Sequence, residues 1–127
     1  MAKSATSPFP PLVVIVDDDD AVRSALGVTA ELDGYRVETC ATGELLLLLD
    51  LPQTGACLVI DERLPGISGL SALAQLRSRG CRLPAVLITS HPSRQLRLAA
   101  SRAGAPILEK PLLGDGLKDW IRAAAPR

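Results

Sequence analysis

Charged and hydroxyl side chains stand at the ends of four apolar segments of the chain. Asp17 and Asp18 open a run of aspartates after one segment, and Asp61 follows another. Thr89 ends a third segment, and Lys110 follows a fourth, directly before a proline. Carboxylates that lie close together raise one another's pKa, and a hard divalent cation such as Mg²⁺ makes such a group tolerable. An ammonium and a hydroxyl beside that cation would suit the transfer of a phosphoryl group.

The apolar segments are short and rich in β-branched residues, which predicts strands buried on both faces, with helices between them. The predicted strands are Leu12–Val16, Tyr35–Cys40, Ala56–Ile60, Pro84–Thr89 and Ile107–Glu109. The predicted helices are Asp20–Leu32, Glu44–Leu51, Leu70–Arg79, Ser93–Ala103 and Gly116–Ala124. This alternation predicts an α/β fold with a five-stranded parallel sheet, doubly wound, in the flavodoxin-like order 2-1-3-4-5.

In a sheet of this kind ligands bind beyond the carboxyl ends of the strands, where all the candidate side chains stand. Asp61 would then be a carboxylate nucleophile that forms an aspartyl phosphate. Mg²⁺, the Lys110 ammonium and the Thr89 hydroxyl would neutralise charge on the transferred group. Taken singly, each residue is as well explained by a solvated loop or a helix cap, Asp19 or Asp20 above all. Their conjunction at four strand ends favours the phosphoryl-transfer site.

Four segments of the chain match the signature of a known family. They are Val-Asp-Asp-Asp-Asp at 16–20, Val-Ile-Asp-Glu-Arg-Leu-Pro-Gly-Ile-Ser-Gly at 59–69, Val-Leu-Ile-Thr-Ser-His at 86–91, and Glu-Lys-Pro at 109–111. In this order and spacing, residues 12–124 resemble response-regulator receiver domains of two-component signalling, especially the FixJ-type branch. The resemblance implies a signalling domain that takes a phosphoryl group from a sensor histidine kinase or a histidine phosphotransfer protein. Its only catalysis would be its own phosphorylation and dephosphorylation.

The resemblance also implies roles for individual residues around the site. Asp61 matches the phosphorylated aspartate and is a metal ligand as well. Asp18 matches a direct magnesium ligand, Asp17 a ligand acting through water, and the backbone carbonyl of Arg63 the third protein ligand. Arg63 and His91 match the two flanking positions that tune the lifetime of the phosphoryl group. For His91, a residue that simply leads into the next helix is an equally good interpretation.

Thr89 matches the hydroxyl that moves toward the phosphoryl group, and Lys110 matches the lysine before Pro111, where the peptide bond is commonly cis. Phosphorylation would switch the face made by the fourth helix, the fifth strand and the fifth helix, which would bind a downstream protein target. The family usually carries Phe or Tyr three residues before the lysine, and this chain has Ile107 there. An isoleucine has no ring and no polar tip, so the ring that usually couples to the hydroxyl is missing at this position.

Composition argues against several classes of partner. The 127 residues carry equal numbers of basic and acidic side chains, 14 each, so no global charge attracts nucleic acid or anionic lipid. Leu45–Leu49 is as long as any uninterrupted apolar run in the chain, and it is far too short to span a bilayer. We therefore expect a cytoplasmic protein with no direct nucleic-acid or membrane contact. A homodimer through the expected switching face stays open, with Trp120 as a candidate contact.

The segment 1–11 has one lysine and three prolines and no apolar stretch, which predicts a flexible leader before a receiver domain at 12–127. The three cysteines, Cys40, Cys57 and Cys81, lack the spacing of metal ligands, and buried thiols in a reducing cytoplasm are expected.

Three other functions compete with a phosphorylated switch. Ile107 leaves open a receiver-like interaction module whose output does not depend on phosphate. An Asp-x-Asp phosphatase has its spacing formally at Asp17–Asp19, but Ala21 stands where Thr or Val is expected. A flavodoxin would need phosphate-binding amides after the first strand, and here four carboxylates would repel phosphate.

Overall fold

The computed structural model describes residues 9–127, so most of the predicted leader lies outside the described residues. The strands are β1 (Leu12–Val16), β2 (Arg36–Cys40), β3 (Ala56–Asp61), β4 (Ala85–Thr89) and β5 (Ile107–Glu109). The helices are α1 (Asp20–Leu32), α2 (Gly43–Leu48), α3 (Gly69–Ser78), α4 (Arg94–Arg102) and α5 (Gly116–Ala124). The strands pair in parallel in the order β2-β1-β3-β4-β5, which confirms the predicted fold.

Two apolar cores lie on opposite faces of the sheet, because successive side chains of a strand point to opposite sides. Val14 and Leu58 belong to the core under α2, α3 and α4, whereas Ile15 and Val59 belong to the core under α1 and α5. Every residue of β1, β3 and β4 is buried. Burial on both faces is the reason that these strands are continuous apolar runs with no polar alternation.

The largest difference from the predicted boundaries is at α2. This helix ends at Leu48 and not at Leu51, because Leu49 is already extended, with φ −71° and ψ 144°. Leu51 stands directly before Pro52, a position from which helical backbone is disfavoured. Strand β3 is one residue longer than predicted and ends in Asp61, which pairs with Ile88. All other ends lie within one residue of the prediction.

The described end of the predicted leader contacts the edge strand β2 through Arg36. The Arg36 backbone N–H donates to the carbonyl of Pro11 at 3.0 Å, and its Nε donates to the carbonyl of Pro10 at 2.9 Å. The guanidinium carbon lies 5.5 Å from the ring centroid of Phe9. Residues 9–11 are therefore held along β2.

The prediction that all three thiols are buried is wrong for one of them. Cys40 and Cys57 are buried, and Cys81 is half-exposed, because it follows the C-terminal end of α3. Burial raises the pKa of the Cys57 thiol to about 12, so this cysteine stays protonated. Within residues 9–127, every helix is too short or too polar to serve as a membrane span.

Gly69 lets α3 begin directly against the end of β3. A Cβ atom at this position would lie 2.4 Å from the backbone oxygen of Asp61 and 2.8 Å from Cγ2 of Ile60. The Gly69 N–H donates to the carbonyl of Glu62 at 3.0 Å, which closes the loop between the two elements. The backbone at this edge of the sheet therefore requires a residue without a side chain.

We expect Gly69→Ala to lower the free energy of unfolding by about 1–3 kcal/mol, since the new methyl group overlaps backbone that cannot move aside. Urea denaturation followed by circular dichroism measures the loss. Gly116→Ala is the matched control, because a Cβ atom there meets no atom within 4 Å. This control should leave stability unchanged or raise it by up to about 1 kcal/mol. Equal stability of the two variants would contradict the close approach.

Candidate functional site

Three carboxylates meet where β1 and β3 end. Oxygens of Asp17, Asp18 and Asp61 all lie within 4.8 Å of one another. Val16 is paired with Ile60 in the sheet, so the residues that follow them, Asp17 and Asp61, come out side by side. Asp17 is 5% exposed and Asp61 is 4% exposed, whereas Asp18 is open to solvent. Solvent therefore reaches the cluster at Asp18, whereas the two carboxylates nearest the sheet are buried.

Lys110 supplies positive charge to this cluster from the far side of β4. Its Nζ lies 3.2 Å from Oδ2 of Asp61, and its side chain is 37% exposed. The Lys110 backbone N–H donates to the carbonyl of Thr89 at 2.9 Å, which fixes where the lysine leaves β5. The peptide bond from Lys110 to Pro111 is cis. The lysine thus reaches across one strand to contact the most buried carboxylate of the group.

Burial raises the pKa of Asp61 above its usual value, and the charge of Asp17 raises it further. The hydrogen bond and charge of Lys110 lower the pKa, and so does a backbone N–H of Arg63 donated to Oδ1 at 3.4 Å. The net effect is a raised pKa of Asp61, so the positive charge of Lys110 does not fully compensate the burial and the neighbouring negative charge. The cluster remains a site at which a further cation would be stabilising.

Asp19 and Asp20, the other members of the aspartate run, organise α1. Asp19 is the N-cap residue, as predicted, and its Oδ1 accepts the N–H groups of Ala21 at 2.9 Å and Val22 at 3.1 Å. Asp20 forms an ion pair with Arg23. The Arg23 guanidinium also donates to the backbone carbonyl of Asp17 at 2.7 Å, which ties the first turn of the helix to the cluster.

Thr89 ends β4, the strand that pairs with β3, and His91 follows two residues later. Thr89 is 8% exposed, and its hydroxyl donates to the carbonyl of Ser90 at 3.3 Å and not to a carboxylate. His91 is exposed and has a φ of 48°, in the left-handed region. Ile107 is the first residue of β5, pairs with Leu87 of β4 and is half-buried against the core under α4. It precedes Lys110, which contacts Asp61, by three residues.

Two glutamates that the sequence did not single out hold the loop between β3 and α3. A carboxylate oxygen of Glu62 accepts the N–H of Leu70 at 2.7 Å, and one of Glu44 accepts the N–H of Ile67 at 3.1 Å. Burial raises the pKa of Glu62. Gly66 has a φ of 75°, and a Cβ there would lie 2.3 Å from the Glu44 carboxylate. Gly66 was the one feature of the sequence that indicated a tight turn here, and nothing in the sequence indicated the contact with Glu44, which lies far away along the chain.

The donor set of the cluster fits a hard divalent cation. Carboxylate oxygens are the ligands that Mg²⁺ prefers, and Mg²⁺ usually binds through one or two of them and keeps several waters. Because the carboxylate of Asp18 is exposed, a hydrated ion can reach the cluster from solvent.

The side chain of Arg63 is exposed and makes no hydrogen bond or ion pair with another residue of 9–127. Its backbone lies near enough for its N–H to face Asp61.

Comparisons with known proteins agree on one family. The family model for the response regulator receiver domain matches residues 13–122. The chain is 38% identical over 124 residues to the C4-dicarboxylate transport transcriptional regulatory protein DctD of Pseudomonas aeruginosa, over 93% of this chain and 27% of that protein. It is 35% identical over 116 residues to the transcriptional regulatory protein FixJ of Azorhizobium caulinodans, over 91% of this chain and 55% of that protein.

Solved structures show the same likeness in three dimensions. The structure of the response regulator StyR superposes with a TM-score of 0.84 at 35% identity, covering 91% of this chain and 59% of that one. The chain spans about a quarter of the length of DctD and about half that of FixJ.

In metal-free buffer at neutral pH, we expect Asp61→Asn to be more stable than the wild type. The folded-state pKa of Asp61 is raised above about 3.8, so the wild type loses stability as pH rises from that value through the folded pKa. Asparagine has no such charge to bury. Thermal unfolding in EDTA at pH 7 and pH 4.5 measures the difference, which should shrink at the lower pH.

Asp50→Asn is the matched control, since Asp50 is exposed and outside the cluster. Its unfolding midpoint should follow that of the wild type at both pH values. A lower midpoint for Asp61→Asn than for the wild type at pH 7 would mean that the Lys110 ion pair outweighs burial.

Proposed function

This chain belongs to the response-regulator receiver domain family of two-component signalling, and from that premise we propose that it is a phosphorylation switch whose phosphoryl acceptor is Asp61. The observation that carries the proposal is the contact of Lys110 Nζ with Asp61 Oδ2 at 3.2 Å, inside a cluster of three carboxylates. A nucleophilic carboxylate beside an ammonium and a candidate metal site has what phosphoryl transfer needs, which is positioning and charge compensation.

The proposed donor is a phosphohistidine of a sensor histidine kinase or of a histidine phosphotransfer protein. A carboxylate oxygen of Asp61 attacks phosphorus, a new O–P bond forms, and the P–N bond breaks. The electron pair of that bond stays on the imidazole nitrogen, which can then take a proton. Lys110 favours the ionised form of Asp61 and meets the developing negative charge on the phosphoryl oxygens.

Asp17, Asp18, Asp61 and the backbone carbonyl of Arg63 would hold Mg²⁺, with Asp18 as a direct ligand and Asp17 acting through water. When bound, the ion would supply positive charge against both the carboxylates and the transferred phosphoryl group. The closeness of the three carboxylates and their incomplete compensation by Lys110 support this assignment.

After transfer, the Thr89 hydroxyl would exchange its bond to the carbonyl of Ser90 for one to a phosphoryl oxygen. Thr89 is well placed for this exchange because it ends the strand next to Asp61, and its own carbonyl accepts the backbone N–H of Lys110. Motion of Thr89 would then reach the face formed by α4, β5 and α5, and would shift its population between two states. We expect a downstream protein, or a second copy of the chain, to bind that face.

We assign Arg63 and His91 to the control of phosphoryl lifetime. Both side chains are exposed and flank the cluster from different loops, the first after β3 and the second after β4. From these positions they would screen the phosphoryl group against attacking water. The left-handed backbone at His91, with a φ of 48°, sets the direction in which its side chain leaves the loop.

The proposal places the domain in the cytoplasm, where a kinase would reach it and where three free cysteines remain reduced. Its chemistry is limited to its own phosphorylation and dephosphorylation. Both curated relatives are transcriptional regulators by name and extend well beyond the matched region. Any nucleic-acid binding in such proteins is therefore assigned to other regions, and this domain is proposed to contact protein.

Ile107 favours a second candidate, an interaction module whose binding does not depend on phosphate. The residue packs half-buried against the core under α4, and it carries no ring that could exchange between inner and outer positions. In this alternative, Asp61 could still be phosphorylated, but the α4-β5-α5 face would keep one conformation.

With Mg²⁺ and acetyl phosphate, we expect the wild type to gain one phosphoryl group, measured by intact-protein mass spectrometry. Asp61→Asn should gain none, and wild type in EDTA should gain almost none. Asp20→Asn is the control, because Asp20 belongs to the same aspartate run but pairs with Arg23 outside the cluster. An unmodified wild type over a full titration of donor and metal, or equal labelling of Asp61→Asn, contradicts the proposal.

The two candidates differ in how far the effect of phosphorylation spreads. For the switch, we expect amide chemical shifts to change at Thr89 and also across α4, β5 and α5 when the wild type is phosphorylated. Two-dimensional ¹H–¹⁵N NMR spectra before and after phosphorylation measure this spread. Changes confined to the loops after β1, β3 and β4 would instead support the phosphate-independent module.

A further inference from the structure

The charged residues of this neutral chain are segregated along the sequence. Residues 17–62 contain eleven acidic and two basic side chains, whereas residues 63–108 contain seven arginines and no acidic residue. The second stretch folds into α3, β4, α4 and the loops around them. A chain without net charge therefore has a region in which positive charge is concentrated, and such a region attracts anionic partners locally.

A groove of about 850 Å³ lies between α3 and α4 in this basic region. Its charged lining consists of three arginines, and no acidic side chain of the described residues lines it. The arginines are Arg77, Arg82 and Arg102. The apolar lining is formed by Leu70, Ala74, Pro84, Ala99 and Ala103. The groove therefore combines an apolar surface with charge of one sign.

Backbone carbonyls hold the guanidinium of Arg77. Its Nε donates to the carbonyl of Ala103 at 3.0 Å, and its Nη1 donates to those of Cys81 at 3.1 Å and Leu83 at 2.7 Å. Its Nη2 makes no hydrogen bond within residues 9–127 and is not fully buried. The position of Arg77 is thus fixed, but its charge is not compensated, because a carbonyl carries no net charge.

Arg82 and Arg102 are both exposed at the groove. Nη1 of Arg82 donates to the backbone carbonyls of Arg77 at 3.1 Å and Cys81 at 3.3 Å. Arg102 makes no hydrogen bond or ion pair with another residue of 9–127. Like charges gathered around one groove repel one another, so carboxylates held there would relieve that repulsion.

We propose that the groove binds an acidic amphipathic segment of a partner protein. Carboxylates of the segment would pair with the three arginines, and its apolar side chains would lie against the apolar surface between α3 and α4. An amphipathic helix is the form that a hydrophobic groove commonly binds. Phosphates of a nucleic acid would also pair with the arginines, but would leave the apolar lining without a partner, since their binding is dominated by charge.

The proposed site is separate from the face formed by α4, β5 and α5. Ala99 and Arg102 line the groove, whereas Arg97 and Ser101 line the depression beside β5, so the two surfaces use different sides of α4. None of the cluster carboxylates lines the groove either. Binding there therefore does not rest on the function proposed for Asp61, and we expect it in the unphosphorylated chain.

Fluorescence anisotropy with labelled synthetic peptides tests the proposal on the whole chain. The probe is a helix-forming peptide of about four turns, with leucine on one face and glutamate on the others. Two matched peptides replace every glutamate by glutamine, or every leucine by alanine. We expect the probe to bind saturably and roughly tenfold more tightly than either matched peptide, because the groove offers both charged and apolar contacts.

Neighbouring residues of α3 offer a matched pair of variants. Ala74→Glu places a carboxylate in the groove, whereas Gln75→Glu adds the same charge at an exposed position outside it. We expect the first to weaken binding of the probe roughly fivefold and the second by less than about twofold. Arg82→Gln combined with Arg102→Gln should also weaken binding roughly fivefold, and Arg94→Gln, at an exposed position of α4 outside the groove, should not.

Two-dimensional ¹H–¹⁵N NMR spectra locate the bound probe. We expect amide shifts in residues 70–84 and 99–104. Absent binding, equal binding of the glutamine peptide, or equal weakening by Ala74→Glu and Gln75→Glu overturns the proposal, and so do shifts centred on β5 and α5. Duplex DNA that binds more tightly than the probe and is equally sensitive to Ala74→Glu would assign the groove to nucleic acid and overturn the proposed partner.

Discussion

The crowding of three carboxylates at the ends of two neighbouring strands is the constraint on which the rest of the site depends. Asp17 and Asp61 are nearly buried, and Asp18 completes a group whose oxygens lie within 4.8 Å of one another. Burial raises the pKa of Asp61, and the Lys110 ammonium offsets this only in part. The folded chain therefore holds negative charge that a cation or an electrophilic phosphorus centre would relieve.

The surrounding backbone is arranged to keep that charge in place. Pairing of Val16 with Ile60 sets the two strands in register, so that the carboxylates emerge together. Gly69 allows α3 to start against the carbonyl of Asp61, and Glu62 holds the first turn of that helix through the N–H of Leu70. The close approach of α3 to β3 and the unbalanced charge thus occur at the same edge of an otherwise continuous apolar sheet.

The fold and the members of the cluster were predictable because they depend on short-range patterns. Buried strands are continuous apolar runs, and Asp17-Asp18 and Asp61 come right after two predicted ones, so parallel pairing of those strands brings the carboxylates together. The roles of Glu44 and Glu62 were not predictable, since each contacts a backbone N–H that no local pattern indicates. The half-exposure of Cys81 was not predictable either, because it depends on where the cysteine lies beyond the end of α3 and not on a hydrophobic period.

The central claim is that the phosphoryl group is carried by Asp61 and by no other carboxylate of the cluster. Borohydride reduction of the phosphorylated chain converts an aspartyl phosphate to homoserine, and peptide mass spectrometry then locates the changed residue. The account predicts homoserine at position 61 alone. Homoserine at position 17 or 18, or a phosphorylated chain in which no aspartate is reduced, would contradict it.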